Sequence, residues 1–278
     1  MSAKNSPPPG IPGCESRASG GSADAWTHFS NIFRAGHQPL PPPWGELFAP
    51  LRAGAVDDLV VVAQVGQSLD GRIATESGHS HYINGPGSLT HLHRLRSLVD
   101  AVLIGVGTAI ADDPQLTVRR VSGPQPARVI IDPRGRLSAQ ARAFIDAGAA
   151  RYWIVAAGVR GSPAAGVETI DLPAVEGRIE PAAILAALAE RGLRRFLIEG
   201  GAQTVSRFLA AGCLDRLHVM VAPTILGSGR PSFVLSPIAR ADQALRMPVR
   251  VHRIEDEMLY DCDLSAQRMR IGAAKKST

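Results

Sequence analysis

Cysteine is scarce in this sequence, and its spacing excludes two classes of protein. The three cysteines, Cys14, Cys213 and Cys262, form no Cys-x-x-Cys pair, so the sequence predicts neither a disulfide framework nor a metal site. No apolar run reaches the roughly 20 residues of a membrane-spanning helix, and no apolar signal-peptide core follows the first charges. We therefore expect a cytoplasmic protein that contacts no membrane.

Aromatic residues are also few, at 5% of the chain, and the basic residues form no cluster although the net charge is +5. Scattered arginines with so few aromatics predict no nucleic-acid partner, and small anionic ligands account for the arginines as well. Apolar residues make up 45% of the 278 residues, which is enough for one large domain or two small ones.

Composition divides the chain into four predicted parts. Residues 1–23 hold Pro, Gly and Ser clusters with few large apolar side chains, and we expect them to be disordered. Residues 24–57 place aromatics around a second proline run, which favours an appendage on a domain surface or at a subunit contact. The main domain is expected over 58–268, and a flexible tail over 269–278.

Continuous apolar runs alternate with helical patterns in the main domain, beginning at 59–65. Such runs are typical of strands buried on both faces, so the alternation predicts an α/β fold with a mixed, mostly parallel sheet flanked by helices. Runs at 249–254 and 258–264 enclose an acidic turn and predict an antiparallel C-terminal pair. Helices are predicted over 88–99 and 181–191, and further strands over 101–106, 128–131, 152–155, 196–198 and 217–221.

A glycine pair follows the predicted strand at 196–198, within Glu-Gly-Gly-Ala-Gln-Thr-Val-Ser-Arg (199–207). Two glycines let the backbone turn sharply and approach a ligand, and the N–H groups of a following helix can bind an anion. An ordinary strand-to-helix turn has the same sequence pattern. This segment alone leaves both interpretations open.

Two other segments also follow predicted strands. Residues 66–74, Gly-Gln-Ser-Leu-Asp-Gly-Arg-Ile-Ala, form either a connecting turn or a cleft wall that presents a hydroxyl and a carboxylate. Residues 105–119 carry two spaced glycines and then a predicted loop with a threonine, two carboxylates and an arginine. A capped turn explains that loop, and so does a ligand site.

Two His-x-His pairs, at 79–81 and 91–93, invite a metal interpretation. Spacing of i, i+2 separates side chains on a helix, and no carboxylate or thiol lies nearby, so no metal site is predicted. The arginines of the same predicted helix, Arg94 and Arg96, are either solvated or bind a phosphate.

In their order along the chain, these segments resemble the reductase domain of bacterial riboflavin biosynthesis, the C-terminal half of the bifunctional pyrimidine deaminase/reductase. The resemblance covers roughly residues 59–265. The matching pieces are Ser-Leu-Asp-Gly-Arg (68–72), Ser-Gly-x-Ser-x-aromatic-Ile (77–83), Gly-x-x-Thr-x-x-x-Asp-Asp-Pro-x-Leu-Thr-Val-Arg (105–119), Ile-Asp-x-x-x-Arg (131–136), Glu-Gly-Gly (199–201) and Ala-Pro-x-x-Leu-Gly (222–227).

This resemblance implies a dihydrofolate-reductase-like fold, a homodimer, and an NADPH-dependent reduction of 5-amino-6-(5-phosphoribosylamino)uracil to its ribitylamino form. Asp112 or Glu199 would act on protons or polarise the open-chain imine of the sugar. The residues implied to bind NADPH are Gly66, Tyr82, Thr108, Asp112, Gly201, Ala202, Gln203, Thr204, Val205, Ser206 and Arg207. The residues implied to bind substrate are Ser80, Arg96, Leu116, Arg119 and Glu199.

The sequence departs from the family pattern at three points. No His-x-Glu followed by Pro-Cys-x-x-Cys occurs, so we expect deamination to be carried out elsewhere. Tyr82 stands where the family most often has Trp, and Pro133 replaces a polar residue. We hypothesise that Arg134 or Arg136 binds the adenosine 2′-phosphate and so selects NADPH over NADH.

Two other functions fit the same sequence. A reductase of a pterin or another heterocycle would use the same fold and cofactor, although Arg96 and Arg119 favour a phosphorylated substrate. A nucleotide-binding protein without catalysis, recruited through its Pro-rich N-terminal region, is the alternative from a different class.

Overall fold

A nine-stranded sheet crosses the part of the chain that the structure describes. The computed structural model describes residues 23–54, 56–80, 83–145, 148–161 and 163–271. Two short two-stranded pairs lie outside the main sheet. Among these residues no helix is both long and apolar enough to cross a membrane.

The regular elements are numbered along the chain. The helices are α1 (Ala23–Ala35), α2 (Gly45–Phe48), α3 (Pro86–Leu98), α4 (Val106–Asp112), α5 (Pro181–Glu190) and α6 (Ala202–Ala210). The strands are β1 (Val60–Ser68), β2 (Arg72–Ala74), β3 (Ala101–Gly105), β4 (Ala127–Ile131), β5 (Arg151–Ala156), β6 (Glu168–Leu172), β7 (Ala174–Val175), β8 (Arg178–Ile179), β9 (Arg195–Glu199), β10 (Arg216–Ala222), β11 (Arg230–Pro231), β12 (Val249–Ile254) and β13 (Glu257–Asp263).

The main sheet is mixed, in the order β12-β13-β10-β1-β9-β3-β4-β5-β6. From β10 to β6 every neighbouring pair is parallel, whereas β13 pairs antiparallel with both β10 and β12. The predicted mostly parallel sheet with an antiparallel C-terminal pair is confirmed. Strand β6 was not predicted, because only Ile170 of its five residues is buried and the strand lacks a continuous apolar run.

Strand β1 shows why the buried strands have continuous apolar sequences. Val60 and Val62 belong to one buried cluster, while Val61 and Ala63 belong to the other. Successive side chains of a strand point to opposite faces, so a strand covered on both faces favours apolar residues at consecutive positions. Helix α3 covers the first face, and α5 and α6 cover the second.

Aromatic side chains before the sheet pack into its first cluster. Trp26, Phe29 and Phe33 of α1 are at most 1% exposed and share this cluster with Leu95 and Leu98 of α3. The ring centroids of Trp26 and Phe29 are 5.2 Å apart. The division of the chain into four parts stays a prediction, but these contacts place the aromatics of 24–57 in a core shared with the sheet.

We expect Phe29→Ala to lower the free energy of unfolding by about 3–5 kcal/mol, because it leaves a cavity where a ring was fully buried. Urea denaturation of the full chain measures this change. His28→Ala on the exposed face of the same helix is the control, and its effect should stay within about 0.5 kcal/mol. A Phe29→Ala variant as stable as the control would show that α1 does not contribute to the core.

Candidate active site

A cavity of about 850 Å³ opens at the carboxyl ends of the parallel strands. Gly66 of β1, Gly105 of β3 and Glu199 of β9 line it. Adjacent parallel strands bring the segments that follow them to the same edge of a sheet, which is where open α/β sheets bind ligands. Three segments that are far apart in the sequence therefore meet at one cavity.

A second cavity of about 330 Å³ adjoins the first. Both are lined by Gly105, Gly107, Arg136, Gln203 and Thr204. Among the described residues no atom lies within 4 Å of a Cβ added at Gly107, so the backbone there leaves room for a ligand. An elongated ligand could therefore contact both cavities along Gly107.

The glycine pair allows close packing between the starts of α4 and α6. Gly200 has φ +70°, and a Cβ atom there would lie 2.8 Å from the Cγ2 of Thr108. A Cβ atom on Gly105 would lie 2.3 Å from the Oγ1 of Thr204. Larger residues at Gly105 and Gly200 would therefore push both threonines away from the strand ends.

The amino end of α6 provides a favourable position for an anion. Gly201 is its N-cap and has no side chain, so no side-chain cap satisfies the first N–H groups. Ala202 and Gln203 of the first turn line the larger cavity. Free N–H groups and the positive end of the helix dipole both attract a phosphate.

The predicted loop over 201–207 is helical from Ala202 onward, and this separates its residues. Arg207 lines the smaller cavity. Val205 is fully buried in the core, and Ser206 is 2% exposed and accepts a hydrogen bond from the N–H of Val234 at 2.8 Å. The predicted loop after Gly105 likewise begins as the helix α4, which carries Thr108.

A buried ion pair joins two of the predicted substrate residues. The Nε and Nη2 of Arg96 donate to the two carboxylate oxygens of Glu199, each at 2.7 Å. The two side chains are 6% and 7% exposed. A third donor, Nη1, reaches the carbonyl of Thr117 at 3.0 Å. Each charge of the pair is compensated by the other, and both oxygens of Glu199 already accept a hydrogen bond.

Arg119 lies beside this pair although it does not line the cavity. Burial lowers the pKa of Arg119, and the positive charges of Arg96 and Arg120 lower it further, while Glu199 opposes them. The backbone N–H of Arg119 donates to Nδ1 of His93 at 3.1 Å. His93 thus helps to position the backbone of Arg119 through that nitrogen.

The remaining predicted residues are distributed around the larger cavity. Ser80, Asp112 and Leu116 line it, with Asp112 exposed at the end of α4. Leu116 is buried and has φ +57°, a backbone conformation that costs energy in a leucine and directs its side chain inward here. Tyr82 lies outside the described residues.

Four arginines surround the smaller cavity: Arg134, Arg136, Arg178 and Arg207. Burial lowers the pKa of Arg207, and the charge of Arg178 lowers it further. Glu176 is the one carboxylate among the described lining residues. The excess of positive charge makes this cavity suitable for an anionic group.

Comparison with known proteins identifies the family of this chain. The family described as RibD C-terminal domain matches residues 60–255, which is more than half of the chain and includes the sheet from β1 to β12. The chain belongs to the RibD C-terminal domain family.

Relatives differ in how much of their length is matched. The chain is 37% identical over 174 residues to riboflavin biosynthesis protein RibD of Bacillus amyloliquefaciens, covering 60% of this chain and 46% of that protein. It is 31% identical over 210 residues to the 2,5-diamino-6-ribosylamino-4(3H)-pyrimidinone 5′-phosphate reductase of Archaeoglobus fulgidus, covering 70% of this chain and 92% of that protein. The chain thus spans about half of the RibD protein and most of the archaeal reductase.

A solved structure supports the same assignment. The diaminohydroxyphosphoribosylaminopyrimidine deaminase/5-amino-6-(5-phosphoribosylamino)uracil reductase of Thermotoga maritima aligns with a TM-score of 0.64 at 28% identity, covering 74% of this chain and 56% of that one.

The Ser-Leu-Asp-Gly-Arg segment lies within the range matched by the RibD family and holds two loops together. Neither Ser68 nor Asp70 lines either of the two cavities. Asp70 accepts hydrogen bonds from the hydroxyl of Ser68 at 2.6 Å and from the N–H groups of Leu226 and Gly227 at 3.1 and 2.7 Å. Ser68 and Asp70 therefore form a connecting turn, while Gly66, Ile73 and Ala74 of the same segment line the larger cavity.

Hydrogen bonds from Ser68 and then Leu226 lower the pKa of the exposed Asp70 to about 2. Because this value lies below the ordinary aspartate pKa, the ionised form stabilises the fold above about pH 4, and the contribution is lost as pH falls toward 2. We expect Asp70→Asn to lower the urea midpoint at pH 7 and the difference from the unmodified protein to shrink below pH 4. A difference that stays constant from pH 7 to pH 3 would contradict this.

His91, which the sequence placed in a His-x-His pair, belongs to a buried network within the RibD family range. Its Nε2 lies 3.0 Å from Nδ1 of His218, whose Nε2 lies 3.2 Å from Oδ1 of Asp261. Burial lowers the pKa of His91 well below its ordinary value, and the neighbouring His218 and Arg94 lower it further. His91 is therefore a neutral core residue.

Sequence reasoning missed one of the arginines at the larger cavity of this RibD family member. Arg230 of β11 lines that cavity, and a Cβ atom at Gly78 would lie 2.8 Å from its Nη2. Gly78 has φ +92° and lies two residues before Ser80. Pairing of β11 with β2 brings Arg230 there, and no local sequence signal indicates such a pairing.

Proposed function

We propose that this chain is an NADPH-dependent reductase of riboflavin biosynthesis, converting 5-amino-6-(5-phosphoribosylamino)uracil to its ribitylamino form. The observation that carries the proposal is the pair of adjoining cavities at the carboxyl edge of the sheet. One is arginine-rich and adjoins the helix amino end, and the other contains a buried arginine–glutamate pair. A long anionic cofactor and a small polar substrate fit such an arrangement.

Reductases of this family imply a nicotinamide cofactor, which supplies a hydride when bound. The first turn of α6, with Ala202 and Gln203, would bind its pyrophosphate, and Gly107 leaves room for it. Arg136, Arg178 and Arg207 would bind the 2′-phosphate that distinguishes NADPH from NADH. The contacts of Gly66, Thr108, Gly201 and Thr204 stay part of this proposal, whereas Val205 is buried in the core and the hydroxyl of Ser206 accepts a hydrogen bond from Val234.

On the substrate side, the geometry assigns different tasks to the two predicted arginines. Arg96 donates three hydrogen bonds, two to Glu199 and one to Thr117. Arg96 would therefore orient the substrate beside Glu199. The side chain of Arg119 is exposed beside other cations, outside the cavity wall that includes Ser80, and would bind a substrate phosphate that projects beyond that wall.

Reduction of the open-chain imine adds a hydride to the sugar C1 and a proton to the adjacent nitrogen. Both oxygens of Glu199 already accept hydrogen bonds from Arg96, which makes Glu199 a poor proton donor. Asp112 is exposed on the wall of the same cavity. We therefore assign proton handling at the cavity to Asp112 rather than to Glu199.

NADPH oxidation with 5-amino-6-(5-phosphoribosylamino)uracil tests the proposal. We expect turnover that depends on the 5′-phosphate, with at least about tenfold loss of kcat/KM when the phosphate is removed, because a charge-assisted contact is lost. NADPH binding without turnover would overturn it in favour of a non-catalytic nucleotide-binding protein. Turnover of a dihydropterin instead would select the other heterocycle reductase.

A second substrate has its own support. The match to 92% of the Archaeoglobus fulgidus reductase favours a 2,5-diamino-6-ribosylaminopyrimidinone 5′-phosphate, which still carries the amino group that deamination removes. The two compounds differ in one exocyclic group of the ring. Comparing kcat/KM for both in the same assay decides between them.

The proposal includes a homodimer. Strands β12 and β13 leave apolar side chains exposed at the end of the sheet, among them Val249, Val251, Met258 and Tyr260 at 38–50%. A second copy could cover this face. Sedimentation analysis of the full chain measures its mass in solution, and a mass of one chain rather than two would contradict the homodimer.

A further inference from the structure

Another cavity, of about 590 Å³, lies at the opposite edge of the sheet, where the parallel strands begin. Val60 at the start of β1, Asp100 directly before β3 and Arg195 at the start of β9 line it. Arg34 of α1 and Arg52 complete its wall from the N-terminal segment. It shares no described lining residue with the two cavities at the carboxyl ends.

Three of the four arginines that line this cavity are held in place by backbone carbonyls. Arg34 donates to one carbonyl at 2.5 Å, Arg52 to two at 2.6 and 2.9 Å, and Arg194 to two at 2.6 and 3.0 Å. A guanidinium carries five N–H donors, so Arg34, Arg52 and Arg194 keep donors that these carbonyls do not use. Positioned guanidinium groups with donors left over form a site that an anion can enter without reorganising it.

Positive charge is in excess around the cavity, because its described lining residues include four arginines and two aspartates, Asp58 and Asp100. Arg52 and Arg195 both contact the buried Phe33 ring, with their guanidinium carbons 5.9 and 5.7 Å from its centroid. Burial lowers the pKa of Arg34, and the charge of Arg195 lowers it further, while Asp100 raises it. Asp100 already accepts hydrogen bonds from the side chain of Arg195 and from two backbone N–H groups. An anion between these arginines would relieve their mutual repulsion.

We propose that this cavity is a second anion-binding site, which takes inorganic phosphate or the phosphate group of a small molecule. Its volume lies within the roughly 300–1,000 Å³ of small-molecule sites, and guanidinium groups match the geometry of phosphate oxygens. Arg34 and Arg52 precede residues 60–255, the range that matches the RibD family. The site thus depends on the N-terminal segment, and a bound anion joins α1 to the sheet.

Hydrogen–deuterium exchange of the full chain tests this, with inorganic phosphate compared with chloride at the same ionic strength. We expect phosphate to slow exchange several-fold in peptides covering 31–54 and 190–196, independently of peptides covering 199–210 at the candidate active site. The double variant Arg34→Met/Arg194→Met should raise the phosphate concentration needed by at least about tenfold, because two charged contacts are lost. Arg240→Met, an exposed arginine outside all three cavities, should behave as the unmodified protein.

Glycerol 3-phosphate and glycerol distinguish the sources of the anion. Tighter protection by glycerol 3-phosphate than by phosphate indicates a phosphorylated small molecule, and the reverse indicates inorganic phosphate. The proposal would be overturned if neither inorganic phosphate nor glycerol 3-phosphate protects residues 31–54. Protection that persists unchanged in the double variant would overturn it as well. If the double variant melts earlier without ligand, Arg194→Met alone repeats the test, because that side chain is exposed. NADPH turnover plays no part in these measurements, so they can fail while the proposed reductase activity stands.

Discussion

Glu199→Gln is expected to lower the free energy of unfolding by about 3–5 kcal/mol and to reduce reductase kcat/KM by at least about 100-fold. The variant removes one charge of a pair whose side chains are 6% and 7% exposed, and it leaves the guanidinium of Arg96 buried without its counter-charge. Removing one partner of a buried pair is strongly destabilising for this reason. Urea denaturation and NADPH oxidation with the ribosylaminopyrimidine phosphate measure the two effects.

The double variant Arg96→Met/Glu199→Gln separates stability from function. It removes both charges while keeping similar side-chain volumes, so most of the lost stability should return. Activity should not return, because the proposed substrate contacts are then absent. If the free energy of unfolding of the single Glu199→Gln variant lies within about 1 kcal/mol of that of the unmodified protein, the pair is not buried in solution. Recovery of activity in the double variant would show that the pair serves the fold alone.

The second large effect concerns the choice of cofactor. We expect Arg136→Ala and Arg207→Ala each to raise the KM for NADPH by about tenfold to 100-fold, while the KM for NADH changes by less than about twofold. A hydrogen bond to a charged group contributes roughly 1.5–3 kcal/mol, and each 1.4 kcal/mol corresponds to a factor of ten. Only NADPH carries the 2′-phosphate that these arginines would bind.

The arginines around the smaller cavity allow an internal comparison. Arg178→Ala should act like Arg207→Ala, because the charge of Arg178 lowers the pKa of Arg207 and the two therefore lie close together. Arg240→Ala, outside this cavity, is the matched control for the loss of one surface charge. An unchanged NADPH/NADH preference in both Arg136→Ala and Arg207→Ala would show that the 2′-phosphate binds elsewhere.

Much of the sheet was predictable because a buried strand produces a local run of apolar residues in the sequence. A strand with both faces covered favours apolar residues at most positions, and the runs that became β1, β3, β4, β5, β9 and β10 are predominantly apolar. Edge strand β6 has a single buried residue, so the same signal is missing there. The packing of Trp26 and Phe29 was also beyond the sequence, since an aromatic residue in a Pro-rich context does not reveal which surface it covers.

At the candidate site, the sequence indicated which segments matter and the tertiary structure decided what their side chains do. Glycines at strand ends and the ordered motifs indicate, from the sequence alone, a site at the carboxyl edge of the sheet. Asp70 follows β1 and holds a loop through the N–H of Gly227. Glu199 ends β9 and pairs with an arginine 103 residues away.

The sequence alone therefore determined the α/β class, the antiparallel C-terminal pair, and the family motifs. The tertiary structure decided the Arg96–Glu199 pair, the arginine-rich cavity that includes Arg178, and the basic cavity at the opposite edge. The physical reason is that hydrophobic periodicity reports on neighbours along the chain, whereas ion pairs and cavities depend on strand order. Only the insertion of β9 between β1 and β3 places Glu199 beside α3 and Arg195 beside the N-terminal segment.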